Sequence, residues 1–307
     1  AMTMQRRDFL RAAGAAAGAA VLPGCATMGG GSAGKVVVVG GGYAGATCAK
    51  YLRMWSNGAV DVTLIEPREA FVSCPISNLV IGGSKTIADV TVPYDNLSRR
   101  WGVNVVRDTA TGIDVDKRVV TTAGGRNLPY DRLVLAPGIE FMWDAIASYK
   151  ADPVRATGIV PHAWQAGEQT VLLRRQLESM PDGGVYALSI PVAPYRCPPG
   201  PYERACQVAW YFKRAKPKSK VLVLDGNPDV TSKAGLFKKA WNDLYKGIVE
   251  YRPNHVLTDV DLATKTAKFE TADDVRASVL NVIPPHRAGG IARTAGVITA
   301  NNRWCEV

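Results

Sequence analysis

Lys35-Val36-Val37-Val38-Val39-Gly40-Gly41-Gly42-Tyr43-Ala44-Gly45 is the stretch whose reading decides the fold. Four valines in a row after a lysine make a continuous apolar segment, suited to a strand buried on both faces in a parallel sheet. The next six residues read Gly-x-Gly-x-x-Gly and lead into a helical stretch through Leu52. Such glycines let the chain turn tightly between strand and helix. They also let the backbone approach a pyrophosphate at the helix N-terminus, where N–H groups and the dipole favour an anion. A second strand is expected from Val60 to Ile65, ending in Glu66, twenty-one positions beyond Gly45. A carboxylate placed there can accept hydrogen bonds from ribose hydroxyls. The glycines alone would be a weak signal, equally at home in a turn of another α/β protein. Strand, glycines, helix, strand and terminal Glu in this order are a strong one. The candidate cofactor contacts are Gly40, Gly42, Tyr43, Ala44, Gly45 and Glu66, with Arg68 just beyond.

Short strands are expected between Val103 and Val120, followed by Tyr130-Asp131-Arg132-Leu133-Val134-Leu135-Ala136-Pro137-Gly138. By its residues this is a buried strand ending in a Pro-Gly turn. It also resembles the returning strand of two-dinucleotide-domain flavoproteins, whose glycine turn lies against FAD, which adds Ala136 and Gly138 to the candidate contacts. The second half has helical character from Ala163 to Met180, then strands at Gly184 to Ile190 and Val221 to Leu224. In flavoproteins that use NAD(P)H, the first of these strands leads into a second glycine motif. Here it leads into Pro191-Val192-Ala193-Pro194-Tyr195-Arg196-Cys197-Pro198-Pro199-Gly200-Pro201. Proline fixes φ and removes the N–H donor, so this loop is a poor pyrophosphate cradle, and no NAD(P) is expected to bind.

The chain has 307 residues, 47% hydrophobic and 21% charged, with a formal charge of +10. That is an ordinary globular composition with room for two domains. Gln5-Arg6-Arg7-Asp8-Phe9-Leu10, followed by an Ala-rich stretch from Ala12 to Leu22, reads as a twin-arginine export signal and places the mature protein in the periplasm. Leu22-Pro23-Gly24-Cys25 also resembles a lipoprotein cleavage box, with Cys25 as the acylated residue. Removing residues 1–34 leaves a charge of +8. Lys213, Arg214, Lys216, Lys218 and Lys220 cluster where a helix hands over to a strand. They read as a solvated connection or as an electrostatic aid to docking a redox partner. No aromatic-interleaved basic run of the nucleic-acid type occurs.

Of six cysteines, Cys48 and Cys206 fall in helices and read as small buried hydrophobes. Cys74, Cys197 and Cys305 are expected in loops. No Cys-x-x-Cys or Cys-x-x-Cys-His occurs, and His162, His255 and His286 are scattered, which argues against structural zinc and against c-type haem in this chain. In an oxidising compartment Cys197 and Cys305 are open to two readings, a structural staple or a redox pair.

Three cysteine contexts carry a closer resemblance. Val72-Ser73-Cys74-Pro75-Ile76-Ser77-Asn78-Leu79-Val80-Ile81-Gly82-Gly83 is similar to the segment that binds FAD through a cysteine thioether in flavoprotein subunits of flavocytochrome c sulfide dehydrogenase. Tyr195 to Ala205 is similar to the segment with their first redox-active cysteine, and Asn281 to Gly289 followed by Trp304-Cys305 to the approach to the second. The resemblance runs from Lys35 to the last residue. It implies an α/β fold of two Rossmann-like dinucleotide-binding domains of the FAD/NAD-linked reductase type. The expected layout is signal and linker at 1–34, FAD domain at 35–150, a second nucleotide-domain-like region at 151–295, and a return to the FAD domain at 296–307. It further implies FAD bound covalently through Cys74, Cys197 and Cys305 as the catalytic pair, sulfide as substrate, and a separate c-type cytochrome subunit as electron acceptor. Family members continue past the second cysteine with a further flavin-contacting segment, so this chain is expected to be shortened at its C-terminus. Two other readings share these features. One is a sulfide:quinone oxidoreductase; the other is a non-catalytic flavin-binding or partner-docking remnant.

Overall fold

The computed structural model describes residues 32–306. The twin-arginine stretch and Cys25 lie outside the described residues. Strand β1 (Lys35–Val39) enters helix α1 (Tyr43–Trp55), and β2 (Asp61–Ile65), β3 (Asn104–Val106) and β4 (Arg132–Leu135) complete a four-stranded sheet of order β3-β2-β1-β4. All three pairings are parallel, with Val36 to Val39 beside Val62 to Ile65 on one side and Arg132 to Leu135 on the other. The valines of β1 feed both faces of the sheet: Val36 and Val38 pack into one core cluster, Val37 and Val39 into another. That two-sided burial is why the strand reads as a continuous apolar run rather than an alternating one. The residues from Ala110 to Pro129 form a separate three-stranded antiparallel sheet.

Strand β5 (Ile139–Phe141) leads out of the first unit. After helix α2 (Glu168–Ser179) come β6 (Val185–Ile190), α3 (Gly200–Ala215), β7 (Lys220–Asp225), β8 (Val249–Arg252) and β9 (Val279–Val282). These strands make a second parallel sheet of order β8-β7-β6-β9. The two sheets share one topology. In each, the first strand lies between the second and the last, so its C-terminal end faces the crevice where ligands bind in open α/β sheets. The glycine turn follows β1 at that point, and the Cys197 loop follows β6.

Strand β10 (His286–Ala288) pairs antiparallel with β5, His286 opposite Phe141. Beyond it, β11 (Ile298–Ala300) and β12 (Trp304–Cys305) form a hairpin. Cys305 is therefore in a strand, not the expected loop. Asn301 and Asn302 both take positive φ, 44° and 54°, and the Arg303 N–H closes the turn on the Ala300 carbonyl at 3.0 Å. Successive positive-φ asparagines are hairpin turn chemistry. The helix expected from Ala163 begins only at Glu168, because Ala163 has φ 45° and Gly167 has φ 131°. Cys48 and Cys206 are half-buried rather than buried.

The basic cluster lies between α3 and β7 as expected, yet several of its groups are engaged. Lys213 Nζ donates to the Leu244 carbonyl, Lys216 Nζ to those of Glu178 and Met180, and Lys220 Nζ to that of Gly247. Arg214 lies over the Trp210 ring. These chains tie loop carbonyls together as well as carrying charge.

Candidate functional site

A cavity of about 370 Å³ runs from the glycine turn to the Cys197 loop. At one end Gly40, with φ +97°, lies so close to the chain after β4 that a Cβ would sit 2.2 Å from the Ala136 carbonyl oxygen. A Cβ on Gly45 would sit 1.8 Å from the Gly40 oxygen. Only glycine fits at either position, and the contact with Ala136 locks the turn against the returning strand. Gly42 begins α1 without a side-chain cap, and the first amides of any helix have no acceptor within it. Tyr43 and Ala44 line the cavity, as do Ala136 and Gly138. Gly45 does not; its part is to hold helix against turn.

Glu66 is buried at the end of β2 and also lines the cavity. Its Oε2 accepts from the Gly41 N–H at 2.8 Å, and its Oε1 from Arg68 Nε at 2.8 Å and the Arg68 N–H at 3.1 Å. Burial alone would raise this carboxyl. The Arg68 side chain, followed by the Gly41 and Arg68 amides, outweighs burial and holds it below the usual carboxylate range. Arg68 thus reaches the cavity as the partner of Glu66. An ionised carboxylate, an uncapped helix start and a glycine contact that excludes any side chain are the donor and acceptor set an adenine dinucleotide requires, and these residues fit FAD.

At the other end stand Cys74 and Cys197. Cys74 precedes the short helix Ser77–Ile81, and Ser77 Oγ donates to its carbonyl at 2.6 Å. Its Sγ donates to the Trp164 carbonyl at 3.0 Å and accepts from Arg196 Nη2 at 3.1 Å. Cys197 has φ +60°, a left-handed conformation that costs a non-glycine residue about 1–3 kcal/mol. Its carbonyl accepts the Gly200 N–H at 2.9 Å, and its Sγ lies 3.1 Å from where a Gly200 Cβ would be. Burial pushes the Cys197 thiol up, aided by Glu203 and Cys74 and opposed by the Gly200 N–H and Arg196.

Cys305 is not among the cavity-lining residues, and Cys74, Cys197 and Cys305 are all free thiols. The segments bearing Cys197 and Cys305 nevertheless meet through His286. The Arg196 N–H donates to His286 Nε2 at 2.7 Å, and the Trp304 ring stands edge-on to the imidazole at 6.1 Å. Arg303 Nη2 donates to the His286 carbonyl at 2.7 Å and to the Pro194 carbonyl at 3.2 Å.

Sequence reasoning passed over His286, Arg196, Arg204 and Trp164. Arg204 had a signal: it falls on the stripe of α3 that buries Pro201, Ala205, Val208 and Phe212, where an arginine needs a reason. Among the described residues no group of His, Cys, Asp and Glu is arranged to hold a metal, and no helix is long and apolar enough to cross a membrane.

Comparison with known proteins agrees with this geometry. Residues 170–284 match the model of the central part of the sulfide dehydrogenase [flavocytochrome c] flavoprotein chain. Residues 34–147 match pyridine nucleotide-disulphide oxidoreductases, and residues 3–23 match the twin-arginine translocation signal, which directs the chain to the periplasm. The flavoprotein chain of a sulfide dehydrogenase [flavocytochrome c] from Chlorobaculum thiosulfatiphilum is 59% identical over 46 residues, 15% of this chain and 94% of that sequence. The mitochondrial sulfide:quinone oxidoreductase of Dictyostelium discoideum is 26% identical over 260 residues, 82% of this chain. The chain spans 56% of that relative's length. The crystal structure of the sulfide:quinone oxidoreductase of Aquifex aeolicus shares the fold, with a TM-score of 0.70 at 19% identity over 89% of this chain and 64% of that one. The chain belongs to the family of sulfide dehydrogenase [flavocytochrome c] flavoprotein chains.

Proposed function

We propose that this chain is the flavin-binding part of a sulfide dehydrogenase that oxidises sulfide to sulfane sulfur and passes the electrons to a c-type cytochrome subunit. The observation that carries this reading is the single cavity holding the glycine turn and Glu66 at one end and Cys74 and Cys197 at the other. FAD, when bound, supplies a two-electron acceptor. Gly40, Gly42, Tyr43, Ala44, Glu66, Ala136 and Gly138 would hold it, Gly45 would shape the turn, and Cys74 would anchor it through a thioether.

The catalytic pair of this reading is Cys197 and Cys305. In its oxidised, disulfide form, hydrosulfide attacks one sulfur; the S–S bond breaks, one cysteine becomes a persulfide and the other leaves as a thiolate. A second hydrosulfide attacks the outer persulfide sulfur, releasing HSS⁻ and a second thiolate. Two hydrosulfides thus give one HSS⁻, one proton and two electrons, which leave the cysteine pair as its disulfide re-forms. No histidine need carry a proton, because hydrosulfide is abundant near neutral pH. The hydrogen bonds of His286 and Arg303 support this by tying the segment that carries Cys197 to the strand and hairpin that lead to Cys305.

Quinone is the rival electron acceptor, favoured by the relatives among sulfide:quinone oxidoreductases. The test is anaerobic titration of the flavin-loaded protein with sulfide and, separately, NADH, followed by addition of cytochrome c or a soluble quinone. Bleaching by sulfide but not NADH, with reoxidation by cytochrome c, is expected. Bleaching by NADH would overturn the reading of the Pro191–Pro201 loop, and preferential reoxidation by quinone would overturn the cytochrome assignment.

A further inference from the structure

Arg204 is an unusual wall for a cavity. It is 1% exposed, yet every acceptor it reaches is neutral. Nε donates to Asn78 Oδ1 at 3.1 Å, Nη1 to the His162 carbonyl at 2.9 Å and Asn281 Oδ1 at 3.0 Å, and Nη2 to the Ala163 carbonyl at 2.5 Å. Among the described residues none of the ion pairs involves Arg204 or Arg196. Arg196 donates instead to the Trp164 carbonyl and to Cys74 Sγ. The Trp164 ring lies against both guanidiniums, with centroid distances of 5.1 Å to Arg204 and 6.0 Å to Arg196.

Burying a cation is costly unless an opposite charge or full hydrogen bonding compensates it. Four bonds to neutral acceptors hold Arg204 in place without neutralising it. His162 adds no negative charge: burial, then Arg204 and Arg196, pushes it down to about 3. The acidic side chain that bears on Cys197 is Glu203, which is exposed. The sulfur end of the cavity therefore carries two positive charges with no carboxylate paired to either. Both bear on sulfur: Arg204 interacts electrostatically with Cys74 and Cys197, and Arg196 with Cys197.

We propose that Arg196 and Arg204 form a binding site for small sulfur anions, holding hydrosulfide as it approaches Cys197 and HSS⁻ as it leaves. The inference rests on the sulfide-oxidising reading and names the residues that bind its substrate. A structural role, knitting the Ser77–Ile81 helix, the 162–164 segment and Asn281 together, accounts for the bonds of Arg204 but not for a second unpaired arginine beside the same two sulfurs. Once Cys74 is alkylated by a cofactor, its sulfur is a weaker acceptor, which leaves the Trp164 carbonyl as the main partner of Arg196 Nη2.

The test alkylates Cys197 in the flavin-loaded protein with iodoacetate, an anion, and iodoacetamide, its neutral analogue, with mass spectrometry following that cysteine alone. The ratio of the two rates cancels the thiolate fraction, which both reagents share. Wild type is expected to favour the anion relative to a free thiol, and Arg196→Gln to lower the ratio by about tenfold, the scale of electrostatic steering into a charged cleft. Arg196→Lys should keep most of the preference, and added salt should erode it. Arg204→Gln should act in the same direction if it folds; if it does not, the Arg196 variants decide. An unchanged ratio in Arg196→Gln overturns the proposal. The measurement involves no sulfide and no flavin reduction, so an anion preference without sulfide-dependent bleaching would sink the sulfide reading and leave an anion site, while bleaching without the preference would do the reverse.

Discussion

The main-chain N–H of Arg196 donates to Nε2 of His286 across 2.7 Å, which ties the loop carrying Cys197 to the strand that leads toward Cys305. His286 Nδ1 lies 2.9 Å from the Pro284 carbonyl, so the proton sits on Nδ1 and Nε2 is free to accept. His286→Phe would leave the Arg196 N–H unsatisfied, at a cost of about 1–3 kcal/mol. Urea unfolding should report a loss of that size, with His286→Gln recovering part of it. Sulfide-dependent flavin reduction should slow more in the Phe variant than in the Gln variant. Equal stability in both would mean that the imidazole is merely packing.

The same geometry sets a pH dependence. Burial, opposed by the bond to Pro284 and aided by Arg196 and Arg303, pushes His286 down to about 4, and His162 is pushed to about 3. Both are neutral in the folded protein where the unfolded chain, with histidines near pH 6.5, is already protonated. The unfolded state therefore binds more protons below about pH 6.5, so stability is full above that value and falls as pH drops through it toward 4 and 3. Each histidine contributes up to about 1.4 kcal/mol per pH unit in that window. Denaturant midpoints from pH 7.5 to 4.5 should show the decline, and His286→Gln should flatten it. A midpoint independent of pH over this range would show that neither histidine is held neutral.

Glycine substitutions separate the turn from ordinary loops. Gly45→Ala places a methyl 1.8 Å from the Gly40 oxygen, and Gly40→Ala combines φ +97° with a 2.2 Å clash on Ala136. Both should lose several kcal/mol, more than most surface changes, and should fail to retain flavin. Gly158→Ala, where nothing lies within 4 Å, should be neutral or stabilising by about 0.4–1 kcal/mol. Flavin content after gel filtration and thermal melts would show the contrast.

How much of this was legible beforehand depends on range. Val36 to Val39, Gly40, Gly45 and Glu66 were readable because a buried strand, a tight glycine turn and a carboxylate ending the next strand impose residue types at fixed local spacing. The second unit was readable as a strand leading into prolines where a cradle would need free amides. His286 was not, because its significance lies in a bond to Arg196, ninety positions away. Trp164 was hidden inside an expected helix that Ala163 and Gly167 interrupt with positive φ. The hairpin that carries Cys305 was not read, because its Asn301-Asn302 turn is short and has little flanking pattern to anchor it. Arg204 was visible as a charge on a buried stripe, though only the fold reveals that no acid meets it.

The anchoring role proposed for Cys74 has a chemical signature. A thioether survives acid denaturation, so flavin should remain with the polypeptide after precipitation in acid. Cys74→Ser should release it into the supernatant while still binding it reversibly through the glycine turn and Glu66. Complete extraction from wild type would reduce Cys74 to a cysteine held between Arg196 and Trp164.

The most direct test of the account is flavin reduction by sulfide in Cys197→Ser and Cys305→Ser variants, with dithionite as the control that bypasses the cysteines. A staple closing so long a loop would contribute roughly 3–5 kcal/mol by chain entropy, and its loss would lower stability while leaving the surviving protein reducible by sulfide. A redox pair predicts that each variant keeps its flavin, bleaches with dithionite and fails to bleach with sulfide. Sulfide-dependent bleaching at the wild-type rate in either variant would contradict the proposed chemistry.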